Sequence, residues 1–356
     1  MRRRCDDASV RLDSVAVALP SRCLSNEDLL SLIRENSGST FSGDLEVALE
    51  QVSALLRRAG ARSRHWLAPE ETPMELMRQA VDEALDEAGC KREEVDLLIY
   101  TGVDRGYIDP ANAYIVAQAL GMDTVHCFDV LDACNGWSRA LQLVDSLFRA
   151  GAYKRVLLVN GEFPMFHGGA VYPDLFTLHA SDEIRSSFAA FTLGEAATAA
   201  VLSPEQSREW EFHFSSRTSL ADLCTVPLPG FSRYSPSSRR VGRNGAQHLT
   251  AFSGLMFAAA RRELPALLQE LTVPMGEVSL ILPHAASFAA WEEGRSDLAL
   301  EAPIYNIFPR CGNLAAASVP AGISLATRDG RLRRGDRLLC LTASAGMSFA
   351  AYSFVY

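Results

Sequence analysis

The chain has 356 residues (38.8 kDa), 48% hydrophobic and 22% charged, which is more than one ordinary core holds and predicts two domains or two similar halves. Its net charge of −9 and pI near 5.4 exclude a polyanion surface, so no nucleic-acid partner is expected. The basic start at Arg2, Arg3 and Arg4 leads into no apolar stretch and no run reaches membrane length, which predicts no membrane partner and a cytoplasmic protein.

In chain order, Val10–Leu19 reads as a strand, Glu27–Arg34 and Met74–Ala88 as helices, Val95–Thr101 as a strand, Ala111–Leu120 as a helix and Val125–Val130 as a short buried strand. Trp137, Ala140, Leu141, Val144 and Phe148 then recur at helical spacing, and Gly151 supplies a stop. Strand Arg155–Gly161, helix Phe252–Leu271, strand Val278–Leu282, helix Ala315–Thr327 and strand Arg337–Ser344 follow. Such alternation indicates α/β layering. Asn36–Gly43 and Pro227–Asn244 read as surface loops, and residues 163–190, with Pro164, Gly168, Gly169 and Pro173, as a lid or interface excursion.

Eight cysteines, at 5, 23, 90, 127, 134, 224, 311 and 340, form no Cys-x-x-Cys pair and no zinc-like spacing with histidine. They read as independent reduced thiols, with no metal site. Cys134 differs from the others because it stands where the strand Val125–Val130 hands over to the helix that follows. There it would face free N–H groups and the positive end of the helix dipole, which lowers a thiol's pKa and suits attack on a thioester or carbonyl. A small residue packed under the helix fits the same position.

The two halves repeat in letters. Glu94-Val-Asp-Leu-Leu-Ile-Tyr is answered by Glu277-Val-Ser-Leu-Ile-Leu-Pro, and the run from Tyr153 to Glu162 by that from Arg334 to Ala343. The helix opened by Cys134 then corresponds to the one opened near Gly312-Asn313-Leu314, so two helix N-termini meet at a pseudo-twofold centre. His284 emerges at the carboxyl end of a duplicated strand, where open α/β sheets place ligands. Cysteine, histidine and asparagine would converge there.

With these segments the chain resembles the ketoacyl synthase III group of the thiolase superfamily. The resemblance is carried by Ala18-Leu-Pro-Ser with Ser25-Asn-Glu-Asp-Leu, Ala59-Gly-Ala-Arg-Ser-Arg-His, Asp132-Ala-Cys-Asn-Gly-Trp, Leu193-Gly-Glu-Ala-Ala-Thr-Ala-Ala-Val-Leu, Pro283-His-Ala-Ala, Gly312-Asn-Leu-Ala-Ala-Ala-Ser-Val-Pro and Ser344-Ala-Gly-Met-Ser. It implies a duplicated five-layered α/β/α/β/α thiolase fold, with residues 1–203 as the half carrying the nucleophile and 204–356 as the half carrying His284 and Asn313. It also implies acyl transfer from coenzyme A or an acyl carrier protein to Cys134, with the backbone N–H groups of Cys134 and Ala345 as oxyanion hole. His284 and Asn313 would stabilise the enolate of a decarboxylating malonyl-type donor. A homodimer is implied, and no tightly bound cofactor: the phosphopantetheine thioester is substrate.

Departures from the family pattern set further expectations. Ser344-Ala345-Gly346 replaces a triple glycine, Asp109 stands before Pro110 where relatives often carry an apolar residue that reaches across the dimer to the acyl pocket, and Gly194-Glu-Ala-Ala replaces Gly-Asp-Gly-Ala. An acyl pocket formed by Asp109, Ser344 and Gly346 would be polar or open, and the pathway specialised, in polyketide or other secondary metabolism. Arg62 matches a coenzyme A-contacting arginine, and Arg240 or Arg243 could meet a carrier. Trp66 follows the motif rather than matching an adenine-stacking tryptophan, which favours a carrier protein. Two other readings are a non-decarboxylating acyltransferase to an oxygen, nitrogen or carbon nucleophile of a small molecule, and a subunit of a heteromeric ketosynthase-like complex.

Overall fold

Two sheets of matching topology are built from successive parts of the chain, and the computed structural model describes residues 9–206, 210–234 and 238–356. The basic start, Cys5 and three residues of the expected loop 227–244 lie outside the described residues. The first sheet holds β1 (Ser9–Ala18), β2 (Leu97–Tyr100), β3 (His126–Asp129), β4 (Val156–Glu162) and β5 (Ala196–Glu205), in the order β1-β5-β4-β2-β3. The second holds β6 (Glu211–Ser216), β7 (Leu280–Pro283), β8 (Arg337–Ser344) and β9 (Ser348–Val355), in the order β6-β9-β8-β7. Ile304 adds a parallel bridge to Ile281, standing where β3 stands in the first sheet. In each sheet two antiparallel pairings are followed by parallel ones.

Strand periodicity sorts the layers, because successive side chains point to opposite faces. Leu97 and Ile99 face inward with Leu280 and Leu282, and between the sheets lie α5 (Gly136–Arg149) and α8 (Ser318–Arg328), with Trp137, Leu141, Val319 and Ile323 buried in one shared core. Leu98 and Tyr100 face the other way, against α3 (Pro73–Ala88) and α4 (Asn112–Ala119). Ile281, Leu339 and Leu341 pack against α6 (Ser253–Glu270) and α7 (Phe288–Gly294). The result is the five-layered α/β/α/β/α sandwich.

The ladder corrects one detail of the repeat. Leu97 pairs with Val156 and Leu280 with Leu338, so Val156 corresponds to Leu338, whereas the lettered match sets it against Arg337. A one-residue slip would turn every side chain to the wrong face.

Local signals set several ends. Ser25 and Asp28 close a capping box on α1 (Asn26–Ser37), and Thr72 with Glu75 closes another on α3, which has Pro73 in its first turn. The helix α2 (Leu45–Ala59), absent from the expected elements, is capped by Asp44 and stopped by Gly60 in the left-handed region. β5 runs to Glu205, past the expected division of the halves. Within residues 163–190, Val171, Leu175, Phe176 and Ile184 are buried in a core shared with α1 and α2, and Pro164, Ala170 and Phe188 line the chamber described below.

Candidate active site

β3 delivers the chain to Asp132 and then to Ala133, which is held at φ 44°. A left-handed non-glycine residue costs on the order of 1–3 kcal/mol, and here it turns the chain sharply so that Cys134 stands before the first turn of α5. The helix begins at Gly136, where a Cβ would meet the Thr101 carbonyl oxygen at 2.7 Å. Asn135, fully buried, donates from Nδ2 to Ser348 Oγ at 2.9 Å, and Ser348 Oγ donates to Asp132 Oδ1 at 3.3 Å. The turn that carries Cys134 is therefore tied to the second half of the molecule.

The second half repeats the device. Ala315 is held at φ 43° and precedes Ala316, so the residue equivalent to Cys134 is Ala316. Its N–H donates to Glu162 Oε1 at 3.2 Å. Just upstream, residues 192–194 and 312–313 run side by side: Asn313 N donates to Thr192 O at 2.8 Å and Gly194 N to Asn313 O at 3.0 Å. The approach demands glycine, since a Cβ on Gly194 would lie 2.0 Å from Cys311 O and one on Gly312 2.5 Å from Thr192 O. The Asn313 amide is oriented by Ala315 N–H, which donates to Oδ1 at 2.9 Å, and its side chain also hydrogen-bonds with His284.

His284 follows β7 directly. Its N–H donates to Leu341 O at 2.8 Å and its carbonyl accepts from Trp291 Nε1 at 2.8 Å. The ring is buried, with Nε2 unpartnered within the protein. Cys134, His284, Asn313 and Ala345 all line one chamber of about 930 Å³, whose walls are largely apolar: Leu55, Phe188, Leu193, Met256, Phe257 and Leu264 contribute. Burial pulls the His284 imidazole down to about 4, with the Asn313 side chain acting in the opposite sense. Burial pushes the Cys134 thiol above its ordinary range, and a hydrogen bond with Ser344 opposes it only partly. This corrects the expectation of a depressed thiol: desolvation outweighs the helix end. The resting pair is thiol and neutral imidazole.

Asp109 lies exposed and off this chain's own chamber wall, as a residue expected to reach across a dimer would; that wall is largely apolar. Ala343 and Ala345 line the chamber; Ser344 is buried beneath that wall, its hydroxyl donating to Asp132 O at 3.2 Å and hydrogen-bonding with Cys134, and Gly346, at φ 119°, is exposed. Alternation along the β8 end explains this: the residues on either side of Ser344 point the other way. Arg62 is exposed and outside the chamber wall; Arg240 pairs with Asp222 at 3.0 Å and Arg243 with Asp182 at 2.9 Å. Arg58 and Arg261 line the chamber instead. Trp66 is buried, its Nε1 donating to Leu193 O at 3.0 Å. The seven described cysteines are all free. Among the described residues no cluster suits a metal ion and no helix is long and apolar enough to cross a membrane.

The sequence reading missed the chamber's carboxyls. Asp104 and Glu162 both line it. Glu162, at the end of a strand in Asn160-Gly161-Glu162, carried a usable signal: a charge closing an otherwise apolar run at a strand's carboxyl end.

Family models for 3-oxoacyl-[acyl-carrier-protein] synthase III match residues 128–164, and for its C-terminal part residues 268–356. The beta-ketoacyl-[acyl-carrier-protein] synthase III of Sulfurovum sp. is 26% identical over 347 residues, 95% of this chain and 93% of that protein. That of Escherichia coli K12 is 25% identical over 83% of this chain and 88% of its own length. The fold matches Xanthomonas campestris OleA, solved as a cysteine-to-serine variant with bound lauric acid and lauroyl-CoA, with a TM-score of 0.80 at 22% identity over 98% of this chain and 99% of that one.

Together these matches support this chain as a ketoacyl synthase III-like member of the thiolase superfamily. As such it is an acyl-transferring or condensing enzyme. Within this ketoacyl synthase III-like protein, the matched segment 128–164 carries Cys134 and the matched segment 268–356 carries His284 and Asn313.

Proposed function

We propose that this protein takes an acyl group from a coenzyme A or acyl-carrier-protein thioester onto Cys134 and condenses it with a malonyl-type thioester. The observation that carries this reading is the shared chamber of Cys134, His284 and Asn313, with the Asn313 amide oxygen held by Ala315 N–H and its side chain beside His284. The Cys134 sulfur attacks the thioester carbon as its proton passes to the departing thiolate, and the oxygen charge falls to the backbone N–H groups of Cys134 and Ala345. The malonyl-type donor then loses carbon dioxide. His284 and Asn313 hydrogen-bond its thioester oxygen as enolate charge develops, a task that a neutral imidazole and an amide suit because neither carries fixed charge. The enolate carbon attacks the acyl carbon, the bond to Cys134 breaks, and a β-ketoacyl product leaves.

The apolar walls suit an acyl chain, and a structural neighbour solved with lauric acid and lauroyl-CoA supports a fatty-acyl substrate. Arg58 at the chamber is the better-placed cation for a phosphopantetheine arm than Arg62, Arg240 or Arg243. A homodimer is supported by exposed Tyr107, Ile108, Tyr114 and Leu131, and a specialised pathway by the Ser344-Ala345-Gly346 departure. Asp104 and the buried Glu162, both on the chamber wall, favour a second reading, acyl transfer without loss of carbon dioxide, since a decarboxylating donor needs no base to form its enolate.

Intact-mass measurement after incubation with acyl-CoA and malonyl-CoA tests the proposal. Native protein gains an acyl group and gives a product containing a decarboxylated malonyl extension, while Cys134→Ala gains nothing. Acyl labelling that persists in Cys134→Ala would sink it.

A further inference from the structure

Asp104 and Glu162 line the same chamber as Cys134, and none of the condensation steps uses them. Glu162 is 1% exposed. Its Oε1 accepts from Ala316 N–H at 3.2 Å, Val103 N–H at 3.2 Å and Asn160 Nδ2 at 3.4 Å, and Asp104 Oδ2 accepts from Phe163 N–H at 3.1 Å. The two carboxyls also hydrogen-bond each other. Burial raises both, Asp104 to about 6 and Glu162 further; the Asp104 charge adds to the rise of Glu162, while the hydrogen bond with Glu162 partly opposes the rise of Asp104. Two carboxyls in such contact share one proton near neutrality.

The surrounding groups fit that state. Arg105, next in the chain, is paired with Asp129 of β3 at 3.2 Å. The Tyr100 hydroxyl of β2 donates to the Asp104 carbonyl. His284, with its unpartnered Nε2 in the same chamber, is too weak a base at about 4 to accept a proton near neutrality. A group titrating near 6 suits that task.

We propose that the Asp104–Glu162 pair is the general base for acceptors that arrive with their proton in place: a hydroxyl, an amine or an activated C–H beside a thioester carbonyl. The proposal rests on the reading of Cys134 as the acyl carrier. The acceptor's proton passes to the carboxyl pair as its electron pair forms the new bond to the acyl carbon. The bond from that carbon to Cys134 Sγ breaks, and the proton returns from the pair to the sulfur, restoring the thiol and the singly protonated pair.

The test follows the acyl-enzyme of the full chain in single turnover, by intact mass, with octanoyl-CoA as acyl donor. Asp104→Asn and Glu162→Gln, each checked for native-like melting, should acylate Cys134 as the native protein does. Breakdown of the acyl-enzyme by hydroxylamine or by a second octanoyl-CoA should slow by about 100-fold or more, while breakdown by malonyl-CoA, whose enolate arises from loss of carbon dioxide, stays unchanged. Asp104→Glu should restore part of the rate, and the native rate should rise through pH 6 in a step that Asp104→Asn lacks.

The proposal is overturned if the variants keep the native rate with both proton-bearing probes, if they lose malonyl-CoA reactivity equally, or if native acyl-enzyme resists both probes. Absence of any acyl group on native Cys134 would instead overturn the parent reading.

Discussion

The two halves of this molecule build the same turn and use it differently. At Ala133 and Ala315 the chain enters the left-handed region, at φ 44° and 43°, and a central helix follows. In the first half the next residue presents a thiol to the chamber. In the second it presents a methyl that is 2% exposed and a backbone N–H bonded to Glu162. One station earlier along each sheet the contrast repeats: Thr101 N–H bonds Val159 O at 3.0 Å, and His284 N–H bonds the equivalent Leu341 O at 2.8 Å. Duplication thus supplies two identical scaffolds. On the proposed reading, the chemistry comes from placing nucleophile and donors on opposite copies, with Cys134 in the first half and His284 and Asn313 in the second lining one chamber.

The sharpest way to break this comparison is to move the thiol. Cys134→Ala should abolish acylation, and adding Ala316→Cys should not restore it, because Ala316 is buried and outside the chamber wall; acyl-CoA labelling read by intact mass decides. Next in size, Asn313→Ala should spare acylation but slow decarboxylation of malonyl-CoA about 100- to 1,000-fold, the scale of one lost charge-stabilising donor, measured as carbon dioxide release. Unchanged release would remove Asn313 from the enolate.

A third test separates shared scaffold from chemistry. Ala133→Val and Ala315→Val place a β-branched residue at positive φ, and each should cost about 1–3 kcal/mol in denaturant unfolding. Only Ala133→Val should also slow acylation. Equal effects on acylation would mean that the two turns are not functionally distinct.

The smallest effect concerns pH. His284 falls from an ordinary 6.5 to about 4 in the folded chain, so between those values the unfolded chain binds more protons. Stability therefore rises with pH across that window and is lost on acidification through it, with a slope of at most about 1.4 kcal/mol per pH unit. His284→Thr, which copies the first half's residue, should lack that contribution when midpoints are compared at pH 4.5 and 6.5.

Much of this was legible from local chemistry. Capping residues, apolar periodicity and the lettered repeat gave the strands of both parallel ladders and the central helices, and the duplication alone pointed Cys134, His284 and Asn313 at one centre. The helix over Leu45–Ala59 escaped although Asp44, Leu49, Val52 and Leu56 carried a cap and a periodicity. The edge strand Glu211–Ser216 is half-buried along its length, so no clean inside–outside alternation marks it.

Sequence by itself determined which residue types stand at strand and helix ends, because turns, caps and periodicity are written within a few neighbours. Only the tertiary structure decided their environment. Desolvation, which depends on what packs from the other half, raised the Cys134 thiol and lowered the His284 imidazole. The same burial joined Asp104 to Glu162, 58 residues apart. At the β8 end Ala343 and Ala345 line the chamber wall, while the Ser344 side chain turns beneath it to Asp132 and Cys134. Charge, direction and burial at a shared chamber are properties of the packed halves, and no single stretch of chain contains them.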